Sequence, residues 1–171
     1  MSNQFISWSM LILPWLTLFF MKKEEIKYYL PVGIFAAVLT TIIHDVGITY
    51  GFWVVWDAAY PLYEMLPYFY GLIPVLTMWV FKFTYEYFWL YLFFNAILDI
   101  GFAFFLLNAF FPGRGIYALA NITSFQVWLI NIGHALALYA FQILLQGKPL
   151  RLRSLSLQTA SAKHSFDKGK K

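Results

Sequence analysis

Long apolar runs separated by short polar breaks organise this chain. A membrane-spanning helix needs about 20 mostly apolar residues, within a range of about 17–25. Five stretches meet that need. The first runs Phe5–Met21 and ends at Lys22-Lys23-Glu24-Glu25. The second runs about Tyr28–Trp53. The third runs about Leu62–Phe81 and contains Pro67, Gly71 and Pro74, which predicts a kink. The fourth runs about Tyr85–Phe111 and stops at Pro112-Gly113-Arg114-Gly115. The fifth starts near Thr123, where Thr123 and Gln126 have capping-box spacing, and ends at Gln146-Gly147-Lys148-Pro149. The pattern predicts an all-α polytopic bundle of five transmembrane helices over residues 1–147. A tail over 148–171, rich in Ser, Lys and Arg, follows. It reads as a disordered, lipid-attracted basic segment, or as a short interfacial or partner-docking one.

Composition agrees. The 171 residues are 61% hydrophobic and 12% charged, against roughly 45–50% and about 25% in a soluble domain. Too little polar surface remains to coat a globule in water. That excludes a soluble enzyme, a nucleic-acid binder or a disordered chain for the bulk of the sequence. The formal charge of +4 does not point to nucleic acid, because seven of the twelve Lys and Arg follow residue 147. The absence of cysteine removes disulfides, thiolate metal sites and Cys nucleophiles from consideration. No positive region precedes the first apolar run and no small-residue cleavage site follows it, so it reads as a first spanning helix rather than a cleaved leader. With the N-terminus outside, eleven of the twelve basic residues fall inside and Arg114 alone outside. The expected topology is therefore N-out and C-in.

Charged groups at mid-bilayer cost roughly 2.5–3.5 kcal/mol on insertion scales, so those inside spans are candidate functional residues. The second helix has His44 and Asp45, the fourth Asn95 and Asp99, and the fifth Asn131 and His134, with Gln142 deeper. Glu64 stands at the outer mouth of the third helix and Asp57 in the loop before it. Counting helical rise, His44 and Asp99 lie roughly 22 Å from the inner ends and His134 roughly 17 Å from its outer end. All three fall between the midplane and the outer leaflet. Gly33, Ala37, His44, Gly47 and Gly51 share one face of the second helix, which lets a neighbour approach closely. Asp45 is about 100° round from that face. Asn95 and Asp99 stack four apart, and Asn131 and His134 stack three apart. A bundle that points these stripes at one another makes a common polar cluster, in which His44 and His134 are the cations available to Asp45 and Asp99.

Four uses of that cluster stay open: a structural polar network, a pocket fixing the polar end of a lipid or hydrophobic small molecule, a proton path, and acid–base or metal chemistry. Two His and two Asp suit a divalent ion, but no pair has zinc-protease spacing, so no metal site is expected. The chain has no Gly-rich phosphate loop, no Gly-x-Ser-x-Gly elbow and no paired-acid diphosphate motif, and nothing names a cofactor. The phenylalanines of the fourth helix (Phe88, Phe93, Phe94, Phe102, Phe104, Phe105) read as lipid-facing bulk.

Several segments carry a resemblance. They are Leu13-Pro14-Trp15 leading to Phe19-Phe20-Met21-Lys22-Lys23, Tyr29-Leu30-Pro31-Val32-Gly33, Phe81-Lys82-Phe83-Thr84-Tyr85, Phe88-Trp89-Leu90-Tyr91, Asn95-Ala96-Ile97-Leu98-Asp99 and Phe125-Gln126-Val127. Over residues 5–146 the chain resembles an uncharacterised family of small five-helix membrane proteins of spore-forming Gram-positive bacteria. The resemblance implies a bacterial plasma-membrane location with the tail cytoplasmic, and implies no activity. His44-Asp45, Thr49, Gly51 and Trp53, followed by Pro61-x-x-Glu64, bear a weaker likeness to membrane lycopene cyclases. The spacing is shorter here, and the paired acids of those proteins shrink to Glu64 alone.

The expected function is to bind a lipid or hydrophobic small molecule, or to act as an accessory subunit. His44, Asp45, Asp99 and His134 would orient the ligand, with Asn95 and Asn131 supporting. The alternatives are an intramembrane acid–base enzyme on an isoprenoid or polyene, with Glu64 or Asp99 as the acid, and a proton-coupled carrier. The expected partners are membrane lipid, a hydrophobic small molecule, and a protein partner or second copy of the chain.

Overall fold

A computed structural model describes residues 2–62 and 66–146. Glu64 and the tail lie outside the described residues.

The first helix, α1 (Asn3–Thr17), is capped by Ser2, whose Oγ accepts the Phe5 N–H at 3.3 Å. Pro14 within it has no N–H to give to the Met10 carbonyl, four residues back. A 3₁₀ turn, Leu18–Phe20, leads to α2 (Lys23–Thr49). At about 1.5 Å per residue, the 27 residues of α2 are longer than a bilayer core is thick. Its buried residues are Val32, Gly33, Ala36, His44 and Gly47, close to the small-residue face read from the sequence. Gly47 is required there, because a Cβ would overlap the Trp53 indole.

The third predicted span is corrected. The helix α3 covers only Leu72–Thr84, behind a 3₁₀ turn at Pro67–Phe69. Thirteen residues rise about 20 Å, short of a hydrocarbon core of about 30 Å. The breakers Pro67 and Gly71 end helical geometry on that side, while Pro74 is tolerated in the first turn, where its N–H would be unsatisfied anyway. This short helix is the centre of the fold. Pro74, Val75, Met78, Val80, Phe81 and Thr84 are buried, as are Leu66, Pro67, Tyr68 and Phe69 ahead of it. Around it stand four helical stretches long and apolar enough to cross a membrane: Asn3–Phe20, Lys23–Thr49, Phe88–Arg114 and Ser124–Gln146.

The helix α4 (Phe88–Ile100) continues as a π-helix over Gly101–Phe110. Phe93, Phe94, Phe104 and Phe105 face outward as expected. Phe88 and Phe102 do not; their rings pack on Tyr139 and Tyr68 at 5.0 and 5.7 Å. The helix α5 (Ser124–Gln146) starts behind the anticipated capping box. Thr123 N–H donates to Gln126 Oε1 at 2.9 Å, and Gln126 N–H returns to Thr123 Oγ1 at 3.3 Å.

The all-α expectation misses one feature. β1 (Trp53–Val55) pairs antiparallel with β2 (Tyr117–Leu119), Val54 opposite Ala118. This ribbon closes the α2–α3 and α4–α5 connections over one end of the bundle. At the opposite end, Lys82 of α3 bridges Glu25 of α2 at 2.9 Å, and Glu25 also accepts the Lys22 backbone N–H at 3.0 Å. Tyr85, just past α3, has its phenol pushed up to about 12, by burial first and then by Tyr28 and Tyr139. It is neutral at physiological pH, so lysines and glutamates set the charge of this end.

Candidate functional site

Two polar contacts tie α5 to its neighbours. Asn131 lies beside the Asp99 carboxyl across the α4–α5 interface. One turn along α5, His134 Nε2 lies 3.3 Å from Thr40 Oγ1 of α2, with the Ala36 backbone beside the ring. All four side chains are half-buried. Further bonds lie along the same helix. Trp128 Nε1–H donates to the Ala96 carbonyl at 3.1 Å, and Tyr91 O–H to the Ala135 carbonyl at 2.8 Å. Tyr139 O–H donates to the Tyr85 carbonyl at 3.0 Å. Gln142 is fully buried; its Nε2 reaches the Tyr28 carbonyl at 3.4 Å, while Oε1 has no partner among the described residues.

The remaining predicted residues are placed differently. His44 is one turn beyond Thr40 on α2, buried between rings: Phe69 edge-on at 4.8 Å and Trp53 stacked at 6.0 Å. Asn95 donates back to the Tyr91 carbonyl of its own helix at 2.8 Å. Asp45 is exposed rather than turned inward. It stands four residues before the end of α2, a helix longer than a bilayer core is thick. Asp99 meets an amide, Asn131, where the sequence suggested a histidine. The inward stripes therefore meet pairwise, Asp99 with Asn131 and His134 with Thr40. Among the described residues no three His, Asp or Glu side chains gather as a metal site would need.

The open space lies elsewhere. A groove of about 640 Å³ runs between α1 and α3, lined by Ile6, Ser9, Met10, Leu13, Pro14 and Thr17 on one wall and Leu72, Val75, Leu76 and Trp79 on the other. A second, of about 510 Å³, is lined by Trp15, α2 residues from Ile34 to Ile42, Tyr70 and Pro74. Neither groove includes His44, Asp45, Asn95, Asp99, Asn131 or His134. Both are apolar and within the usual size of small-molecule sites, about 300–1,000 Å³.

The α1–α3 groove exists because α1 is attached at points rather than packed along its length. At one end Asn3 Nδ2–H donates to Asp57 Oδ2 and the Arg114 carbonyl, both at 2.9 Å. Gln4 Nε2–H donates to the Ala58 carbonyl at 2.8 Å, and Gln4 Oε1 accepts the Tyr60 N–H at 3.0 Å. Midway, α1 crosses Gly71, where a Cβ would overlap the Met10 and Leu11 carbonyl oxygens; only glycine admits that approach. At the far end Trp15 Nε1–H donates to the Tyr70 carbonyl at 2.9 Å and Trp79 Nε1–H to Thr17 Oγ1 at 3.0 Å. Residue patterns gave no hint of Asn3 and Gln4, since polar residues before a first span are ordinary. Gly71 was legible as a helix breaker but not as the point where α1 crosses. No protein-family model, curated protein or solved structure matches this chain.

Proposed function

We propose that this chain is a multi-pass membrane protein that holds a lipid or another apolar molecule in the groove between α1 and α3. The observation that carries the reading is that groove: about 640 Å³ of apolar space at the depth of the spanning helices, with Ser9 and Thr17 as its polar side chains. Inside a bilayer such a cleft is filled by whatever apolar chain fits it. The bacterial plasma membrane, the N-out and C-in topology with a cytoplasmic tail, and kinship with the small five-helix family belong to the same proposal. The charge asymmetry of the two ends supports the topology.

Native mass spectrometry of the gently solubilised protein tests the reading. A retained lipid-sized adduct is expected, and Ser9→Phe, which fills the groove, removes it. An adduct that persists in Ser9→Phe at wild-type occupancy defeats the assignment. One observation favours a second reading: the Asp99–Asn131 pair borders the start of the π-helical stretch, and π-distortions recur at functional sites. On that reading Asp99 is an intramembrane acid for an isoprenoid or polyene substrate, or a proton-coupled carrier's site. Asp99→Asn then abolishes function without changing the melting temperature.

A further inference from the structure

We infer that the groove's occupant is an anionic phospholipid, with one acyl chain between α1 and α3 and its phosphate among the lysines at one end. This rests on the proposed lipid-holding function and names the lipid class. The groove runs along α1 from Ile6 to Thr17, about 16 Å of helical rise. Its last lining residues toward the Lys22–Lys23 turn are Thr17 and Trp79. The Lys82 ammonium lies 5.0 Å from the Trp79 ring centroid, held there by its bridge to Glu25. Beyond Thr17 the chain presents Phe19 and Phe20, 85% and 84% exposed, and then Lys22 and Lys23, also exposed. Apolar groove, amphipathic ring and cation thus follow one another in the order tail, interface and headgroup.

The charge of the whole end sets the headgroup's sign. Tyr139 and Gln142 of α5 bond to Tyr85 and Tyr28, so α5 ends beside the start of α2. Among the described residues, Lys22, Lys23, Lys27 and Lys82 stand at this end against Glu24, Glu25 and Glu86. At the ribbon end the described loops offer Arg114 and Asp57. Only the lysine end favours an anion, and it is the end that Thr17 and Trp79 adjoin.

The full-length protein in nanodiscs of equal parts phosphatidylglycerol, phosphatidylcholine and diacylglycerol, released for native mass spectrometry, provides the test. A juxtamembrane lysine adds a several-fold preference for anionic lipid, so about tenfold more phosphatidylglycerol than phosphatidylcholine is expected on the protein. The Lys22→Gln, Lys23→Gln double variant brings the two near parity with lipid still bound, and Arg114→Gln leaves the preference unchanged. Equal retention by the wild type, with lipid lost in both Ser9→Phe and the milder Ser9→Leu, overturns the anionic headgroup and leaves the groove standing. Preferential retention of diacylglycerol also overturns it. Lipid unaffected by either Ser9 variant removes the groove and this inference together. Unchanged helical content by circular dichroism qualifies each variant.

Discussion

Asp99 and Asn131 show what one polar pair is worth inside an apolar bundle. Hydrogen bonds between membrane helices average about 0.6 kcal/mol and seldom exceed about 1.7. Leaving one partner unsatisfied costs more, about 1–3 kcal/mol. Asn131→Leu should therefore lower stability in detergent by about 1–3 kcal/mol, and Asp99→Leu added to it should recover most of the loss. A denaturant titration of both variants reads this; additive losses would mean the two side chains are not coupled. Gly71→Ala works through shape instead. Its methyl group meets the Met10 and Leu11 carbonyls, so an overpacking cost of about 1–3 kcal/mol is expected, read as a lower melting temperature. At this scale the sequence singled out these side chains as candidates, because charged and amide residues are scarce in the spans. It did not tell their partners. The groups that His134 meets are Thr40 and a backbone carbonyl, and neither stands out in an apolar helix.

Among the elements, α1 and α3 show that length and burial need not go together. The longer and more exposed α1 is tied by a few bonds, while α3, too short to span, packs against α1, α2 and α4. Asn3→Ala with Gln4→Ala removes the bonds to Asp57, Ala58, Tyr60 and the Arg114 carbonyl. Each is worth about 1 kcal/mol at most at so wet a site. The expected result is faster amide exchange confined to the start of α1 and residues 57–60, with the remaining helices unchanged. Exchange rising equally in α5 would show that α1 is integral to the core. Four long helices were legible because a chain this poor in charge has too little polar surface to shield several runs of about twenty apolar residues from water. The start of α3 was misplaced by ten residues: Leu62 to Phe69 are apolar enough to extend a helix, and burial of Leu66–Phe69 accounts for that apolarity equally well. Strands of three residues, such as Trp53–Val55, carry too short a pattern to be read.

For the molecule as a whole, four of the five described basic residues, Lys22, Lys23, Lys27 and Lys82, collect at one end, and Arg114 stands at the other. The proposed orientation is open to a direct check, because the chain has no cysteine. Single cysteines at Ser2 and Arg114 should react with an impermeant maleimide added outside intact cells, and one at Lys23 should react only after the membrane is opened. The reverse pattern would invert the topology. The grooves were not legible, since they arise from how α1 lies across α3 rather than from any run of residues. The lipid-holding account depends on them. Its most direct test is a vesicle containing a phospholipid with a photoreactive diazirine in its acyl chain, irradiated with the full-length protein and followed by peptide mapping. Adducts should concentrate on Ile6–Thr17 and Leu72–Trp79 and vanish from both in Ser9→Phe. Adducts spread evenly over outward-facing positions such as Phe93, Phe105 and Leu129, with no excess in the groove, would contradict the account.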